Sequence, residues 1–171
     1  MAIKEIITFP HPILREKAKE ITTFDDELKQ LAADMGETMY AAPGVGLAAN
    51  QIGIARQIVV VDVSKDEDEK KFIALVNPVI SEGEGSVLGE EGCLSVREYE
   101  SKVKRFQKIR VTARDLDGKE LDFHAEDRFA RIIQHEVDHL HGILFIDHIS
   151  RLKLSLYKKK LKKILKQDKK K

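Results

Sequence analysis

The sequence predicts an α+β fold in which mostly antiparallel sheets pack around a central helix, with a further helix at the C-terminus. Three observations predict it. Apolar residues recur at helical spacing in two internal segments, about 25–40 and 126–140. Segments rich in β-branched residues lie between them, and the order of helix, several strands, then helices is not that of a doubly wound parallel sheet. The 171 residues suffice for one domain with a single core, and no internal repeat or long linker divides them.

From Asp25 to Tyr40, the stripe Leu28, Leu31, Ala32, Met35 and Met39 defines a helix, which Pro43 and Gly44 terminate. Ile58 to Val63 and Phe72 to Val76 read as buried strands, separated by the acidic, solvated turn Lys65 to Lys71. From Ile109 to Ala125 the residues Ile109, Val111 and Ala113 alternate with polar ones before the turn Asp117-Gly118, which is a β-hairpin pattern. Glu126 to Leu140 carries Ile132, Ile133, Val137 and Leu140 at helical spacing, with Gly142 as its stop.

The net charge of +1 conceals an asymmetry. Residues 151–171 hold ten lysines, Arg151 and the single acid Asp168, for +10; residues 1–150 hold 19 basic and 28 acidic residues, for −9. We therefore expect 1–150 to form the body and 151–171 to be a basic tail of the same domain. Leu154, Tyr157, Leu161, Ile164 and Leu165 make part of that tail an amphipathic helix. Its alternatives are a fraying solvated terminus, a surface for ribosomal RNA, or one for an anionic membrane. Met1 to Pro12 lacks the apolar run of a secretory signal, and one cysteine excludes an intramolecular disulfide, so a cytoplasmic location is expected, with no membrane span.

The helix 126–140 carries the chemistry. His135 and His139 stand four apart in His-Glu-Val-Asp-His and so face the same way, able to share one metal ion. Glu136 stands beside that metal without having to ligate it, and can take a proton from bound water and pass it to a leaving group. Without a third ligand, the same pattern describes a charged amphipathic helix with ordinary polar histidines. Cys93, in Gly-Glu-Glu-Gly-Cys-Leu-Ser (89–95), is a buried inert thiol on its own but beside two histidines completes a three-ligand set with an open fourth position. The small-residue loop 44–53 lacks both the dinucleotide spacing and a Gly-Lys-Ser/Thr ending, which sets nucleotide binding aside; its Gln51 amide can donate to an oxyanion. Asp138 is expected to pair with a basic residue such as Arg105.

Together, Gly-Val-Gly-Leu-Ala-Ala-Asn-Gln (44–51), Glu-Gly-Cys-Leu-Ser (91–95) and Gln-His-Glu-Val-Asp-His (134–139) resemble the three signature motifs of the peptide deformylase family, in order, over about residues 3–150. The resemblance implies removal of the formyl group from the N-terminal formylmethionine of newly made polypeptides. It implies Cys93, His135 and His139 as ligands of one divalent metal, Fe(II) in the cell, with Zn, Ni or Co possible in purified protein. By the same resemblance, metal-bound hydroxide attacks the formyl carbon, Glu136 is the general acid/base, and Gln51 with the Leu94 N–H stabilises the oxyanion. The peptide would pair as an added strand with Val45 and Gly46, and methionine would enter an apolar pocket walled by Val45, Ile132 and the stem of Arg131. The resemblance also implies ribosome docking near the nascent-chain exit through the C-terminal helix. Arg97 stands where many members carry proline, which bears on the geometry and charge of the outer rim of the groove. Two rivals are a peptidase cutting internal bonds and a ribosome-associated protein with a structural metal.

Overall fold

The computed structural model describes residues 2–170; Met1 and Lys171, the outer ends of the two expected segments, lie outside them. Helix α1 (Asp26–Ala41) starts where the Asp25 carboxylate accepts the Leu28 N–H at 3.0 Å, with Asp26 and Glu27 in its first turn, where the helix dipole favours negative charge. It ends two residues short of Pro43. The segment 44–53, read from sequence only as a loop, contains a short strand β1 (Gly46–Ala48) and a 3-10 turn Ala49–Ile52.

Strand β2 (Ile58–Asp62) precedes β3 (Phe72–Glu84), which runs eight residues beyond the expected strand. Strands β4 (Val87–Cys93) and β5 (Val96–Arg105) form a separate antiparallel hairpin that the sequence did not announce. Strands β6 (Lys108–Arg114) and β7 (Glu120–Glu126) are the expected hairpin, turned at Gly118 with φ +85°. The main sheet has the order β1-β2-β3-β6-β7, antiparallel throughout.

Helix α1 covers one face of that sheet and α2 (Asp127–Leu140) the other. In β2, Ile58 and Val60 pack with Leu28, Met35 and Met39, while Val59 and Val61 pack with Ile133, Val137 and Leu140. Both faces of β2 are covered, which is why its sequence is an unbroken apolar run. Helix α2 closes with a left-handed Gly142: the Gly142 N–H donates to His139 O and the Ile143 N–H to Asp138 O, both at 3.0 Å.

After a 3-10 turn at Phe145–His148, helix α3 (Arg151–Lys169) occupies almost the whole tail. It does not float free. Tyr157 and Leu161 are buried in a third core with Val96, Val103 and Phe145, Leu154 and Leu165 pack against it, and the Tyr157 hydroxyl donates to Arg97 O at 2.9 Å. No helix among the described residues is long and apolar enough to cross a membrane.

Candidate metal centre

Helix α2 and hairpin β4–β5 meet at Cys93, His135 and His139, which could hold a metal ion. Helical spacing turns His135 and His139 to the same side, ring centroids 5.1 Å apart, and the end of β4 brings Cys93 to them. One donor atom from each of Cys93, His135 and His139 lies within 4.8 Å of the others, and Cys93 Sγ is 3.4 Å from His139 Nε2. Metal bonds of about 2.0–2.3 Å in a tetrahedron space their donors by distances of that order. The three residues are brought together from positions 42 to 46 apart in sequence on the cysteine side, and the set suits a borderline-soft divalent ion.

The surroundings also call for a cation. Burial pushes the Glu136 carboxyl up to about 7, and its Oε1 is buried without a hydrogen-bond partner, 3.9 Å from His139 Nε2. Burial alone would lower His135, yet the charges of Glu136, Cys93 and Glu91 hold it well above the ordinary imidazole range. A positive charge seated among these groups would take over the protonated imidazole's part. His139 is pushed well below that range, first by burial and then by the charge on His135, so it stays in the neutral form that ligates metals.

Glu91 holds this arrangement in place, a role that sequence reasoning missed. Its Oε1 lies 2.9 Å from His135 Nδ1, which leaves His135 Nε2 for the metal. Both carboxylate oxygens of Glu91 accept from Arg105, at 2.9 and 3.0 Å, and Oε2 also accepts from Arg131 at 2.6 Å. Burial opposes its ionisation, but the bonds from His135 and Arg105 outweigh it and hold the Glu91 carboxyl near about 2. The signal for Glu91 was its place two residues before Cys93, on the same face of one strand. Arg105 reaches Asp138 at 2.6 Å, the ion pair expected from the sequence.

Gln51 is oriented by its own backbone. Its Oε1 accepts the Ala48 N–H at 2.9 Å, so Nε2 must face the other way, where it donates to Ser95 Oγ at 3.1 Å and lies 3.6 Å from Cys93 Sγ. Among the described residues the Leu94 N–H finds no acceptor. Gly46 packs so closely on Glu136 that a Cβ there would lie 2.6 Å from Oε2. The Val45 carbonyl is taken by the Asp62 N–H at 2.9 Å, and strand alternation turns the polar groups of Gly46 to the open edge of the sheet.

These groups line a groove of about 1030 Å³ that also receives Val45, Arg131 and Ile132. The Arg131 guanidinium is held by the β4–β5 hairpin, donating to Val87 O at 2.7 Å and Val103 O at 2.9 Å. Three convergent donor atoms that could hold a metal, a buried acid of raised pKa, and the Gln51 amide and Leu94 N–H in one groove beside an open sheet edge suit hydrolysis of an amide in an extended peptide.

The profile of the family described as Polypeptide deformylase matches residues 3–155. A peptide deformylase of Desulfotalea psychrophila is 52% identical over 164 residues, covering 95% of this chain and 97% of that one. One from Syntrophobacter fumaroxidans is 47% identical over 167 residues, covering 98% of each. The crystal structure of a peptide deformylase from Legionella pneumophila superposes with a TM-score of 0.90 at 42% identity, over 99% of both chains. In sequence and in fold alike, the chain belongs to the polypeptide deformylase family.

Proposed function

We propose that the groove binds the start of a newly made polypeptide and that Cys93, His135 and His139 hold one divalent metal where its formyl group is cleaved. Membership makes the protein a metal-dependent hydrolase that removes the N-terminal formyl group from nascent chains. The observation that carries the site assignment is the buried, partnerless carboxylate oxygen of Glu136 beside three convergent ligand atoms. When bound, the metal supplies Lewis acidity and a water that ionises near neutral pH. Fe(II) is our assignment in the cell, with Zn, Ni or Co able to take its place in purified protein.

Glu136 accepts the proton of the attacking water, a task its raised pKa suits, and delivers it to the peptide nitrogen so that the amine can leave. Gln51 Nε2 and the Leu94 N–H donate to the oxygen on which negative charge develops. Gly46 offers its backbone to the peptide as an added strand. The side chains of Val45 and Ile132 and the stem of Arg131 wall the methionine pocket. A formyl carbon bears only hydrogen, so crowding by Gly46 and Glu136 excludes an acetyl group. We place the enzyme in the cytoplasm, with the lysine face of α3 on ribosomal RNA near the nascent-chain exit.

The test is chelation and reloading with formyl-Met-Ala-Ser as substrate. Formate release should vanish on stripping, return at one Fe(II) per chain, and spare acetyl-Met-Ala-Ser. Cleavage of an internal bond in an unformylated peptide would favour the peptidase alternative instead.

A further inference from the structure

The β4–β5 wall of the groove carries Glu90, Glu98 and Glu100 and is held in shape by α3, while Arg128 and Arg131 line the groove from α2. Arg97, the position that departs from the family pattern, is neutralised by an ion pair with Asp168 on that helix. Its carbonyl accepts from the Tyr157 hydroxyl at 2.9 Å, and the next carbonyl, that of Glu98, accepts from Lys160 Nζ at 2.5 Å. Glu98 is a non-glycine residue with φ +53°, a left-handed conformation that persists where surrounding contacts enforce it. Two residues on, Glu100 pairs in register with Gly92, and a Cβ on Gly92 would lie 3.2 Å from Glu100 Cγ. The absence of a side chain there lets the stem of Glu100 lie flat on the hairpin.

Glu98 and Glu100 both line the groove that Cys93, His135 and Glu136 also line, and both are exposed. A third groove carboxylate, Glu90, sits opposite Lys102 in the strand register. Among the described residues, no cation comes within 4.0 Å of the Glu98 or Glu100 carboxylate. The Lys160 head group is bonded to main chain, and Arg97 is spent on Asp168.

We infer that Glu98 and Glu100 make the enzyme selective for formyl peptides with lysine or arginine in the residues that follow methionine. The inference rests on the deformylase reading and adds a substrate class to it. Backbone pairing along β1 is blind to side chains, so discrimination falls to charges on the facing wall. Exposed charge pairs are each worth up to about fivefold at low salt, and like charges oppose by similar factors. Two acids should therefore prefer a Lys-Lys peptide to a Glu-Glu peptide by roughly tenfold, and screening should erode this as ionic strength rises.

The experiment measures kcat/KM of the Fe(II)-loaded full chain on formyl-Met-Lys-Lys-Ala, formyl-Met-Glu-Glu-Ala and formyl-Met-Ala-Ser, at low and at about 0.5 M salt. The expected ratio of Lys to Glu peptide is about ten at low salt and about two at high salt, falling below three in Glu98→Gln/Glu100→Gln and inverting in Glu98→Lys/Glu100→Lys. Turnover of formyl-Met-Ala-Ser with a ratio under two at low salt would overturn the inference alone. So would an unchanged ratio in the charge-reversed variant. No turnover of any formyl peptide would overturn the deformylase reading, and this inference with it.

Discussion

Replacing Gly46 by alanine should impair catalysis through Glu136 alone. The added Cβ would lie 2.6 Å from Glu136 Oε2, 2.9 Å from Cγ and 3.0 Å from Cδ, whereas carbon and oxygen rest at about 3.4 Å or more. Gly46 has no positive φ, so its backbone accepts alanine, and the strain falls on the carboxylate. Glu136 is 4% exposed and has little room to retreat, so it must shift by roughly 0.8 Å. Misplacing a catalytic group by about 1 Å costs on the order of 100-fold, close to 2.7 kcal/mol in the barrier. The assay is formate release with metal content and circular dichroism measured on the same samples. We expect kcat about 100-fold lower, KM within about threefold, and full metal and fold. Since Gly46→Ala is argued to act through Glu136, adding it to Glu136→Ala should cost little more. A metal-replete Gly46→Ala enzyme with wild-type kcat, or fully additive losses in the double variant, would refute the reasoning.

Other consequences can be checked independently. Gly142→Ala forces a side chain into a left-handed residue with φ +74° and places a Cβ 2.5 Å from Arg15 O. It should cost about 2–3 kcal/mol and lower Tm by roughly 5–10 °C in calorimetry. Arg105→Met removes two hydrogen bonds from the buried carboxylate of Glu91, leaving it Arg131 and His135, and breaks the ion pair with Asp138; it should destabilise by about 3 kcal/mol in urea unfolding. The same variant tests a pH dependence. Glu91 is held near about 2, below its ordinary 4.5, so its stabilisation is complete above about pH 4.5 and is lost as pH falls toward 2. Without Arg105 the acid-unfolding midpoint should move up by about one pH unit, followed by circular dichroism. Reversing exposed lysines of α3, such as Lys159 and Lys163 to glutamate, should weaken salt-sensitive ribosome association and leave formyl-peptide hydrolysis intact. Truncation is a poorer test because Leu161 belongs to the third core and Leu165 packs against it.

What could be read from the sequence follows the physics of burial. Helix α1 announces itself through a cap and a one-sided apolar stripe, and β2 through an unbroken apolar run that only a doubly covered strand tolerates. The hairpin β4–β5 is silent for the opposite reason. One of its faces looks into the groove with Glu90, Gly92, Glu98 and Glu100, and the other buries ions, Glu91 and Arg105, where an ordinary strand buries valine. Strand β3 extends past its apolar part because β6 pairs with the polar residues Ser81 and Glu84, a tertiary effect that local pattern cannot carry. The convergence of Cys93, His135 and His139 was legible because helical spacing and a lone cysteine each state a chemistry. The carboxylate behind His135 was not, since a glutamate in a polar strand reads as solvent-exposed until Arg105 and Arg131 are seen around it.

The central claim, that Glu136 beside the Cys93, His135 and His139 cluster performs the proton transfers of deformylation, is tested most directly by one comparison. Glu136→Gln keeps the size of the side chain but cannot accept or deliver the proton. Anaerobically prepared, Fe(II)-loaded protein should bind one metal per chain in both forms, and the variant should release formate from formyl-Met-Ala-Ser at least about 100-fold more slowly. A metal-replete Glu136→Gln enzyme that turns over at the wild-type rate would contradict the account.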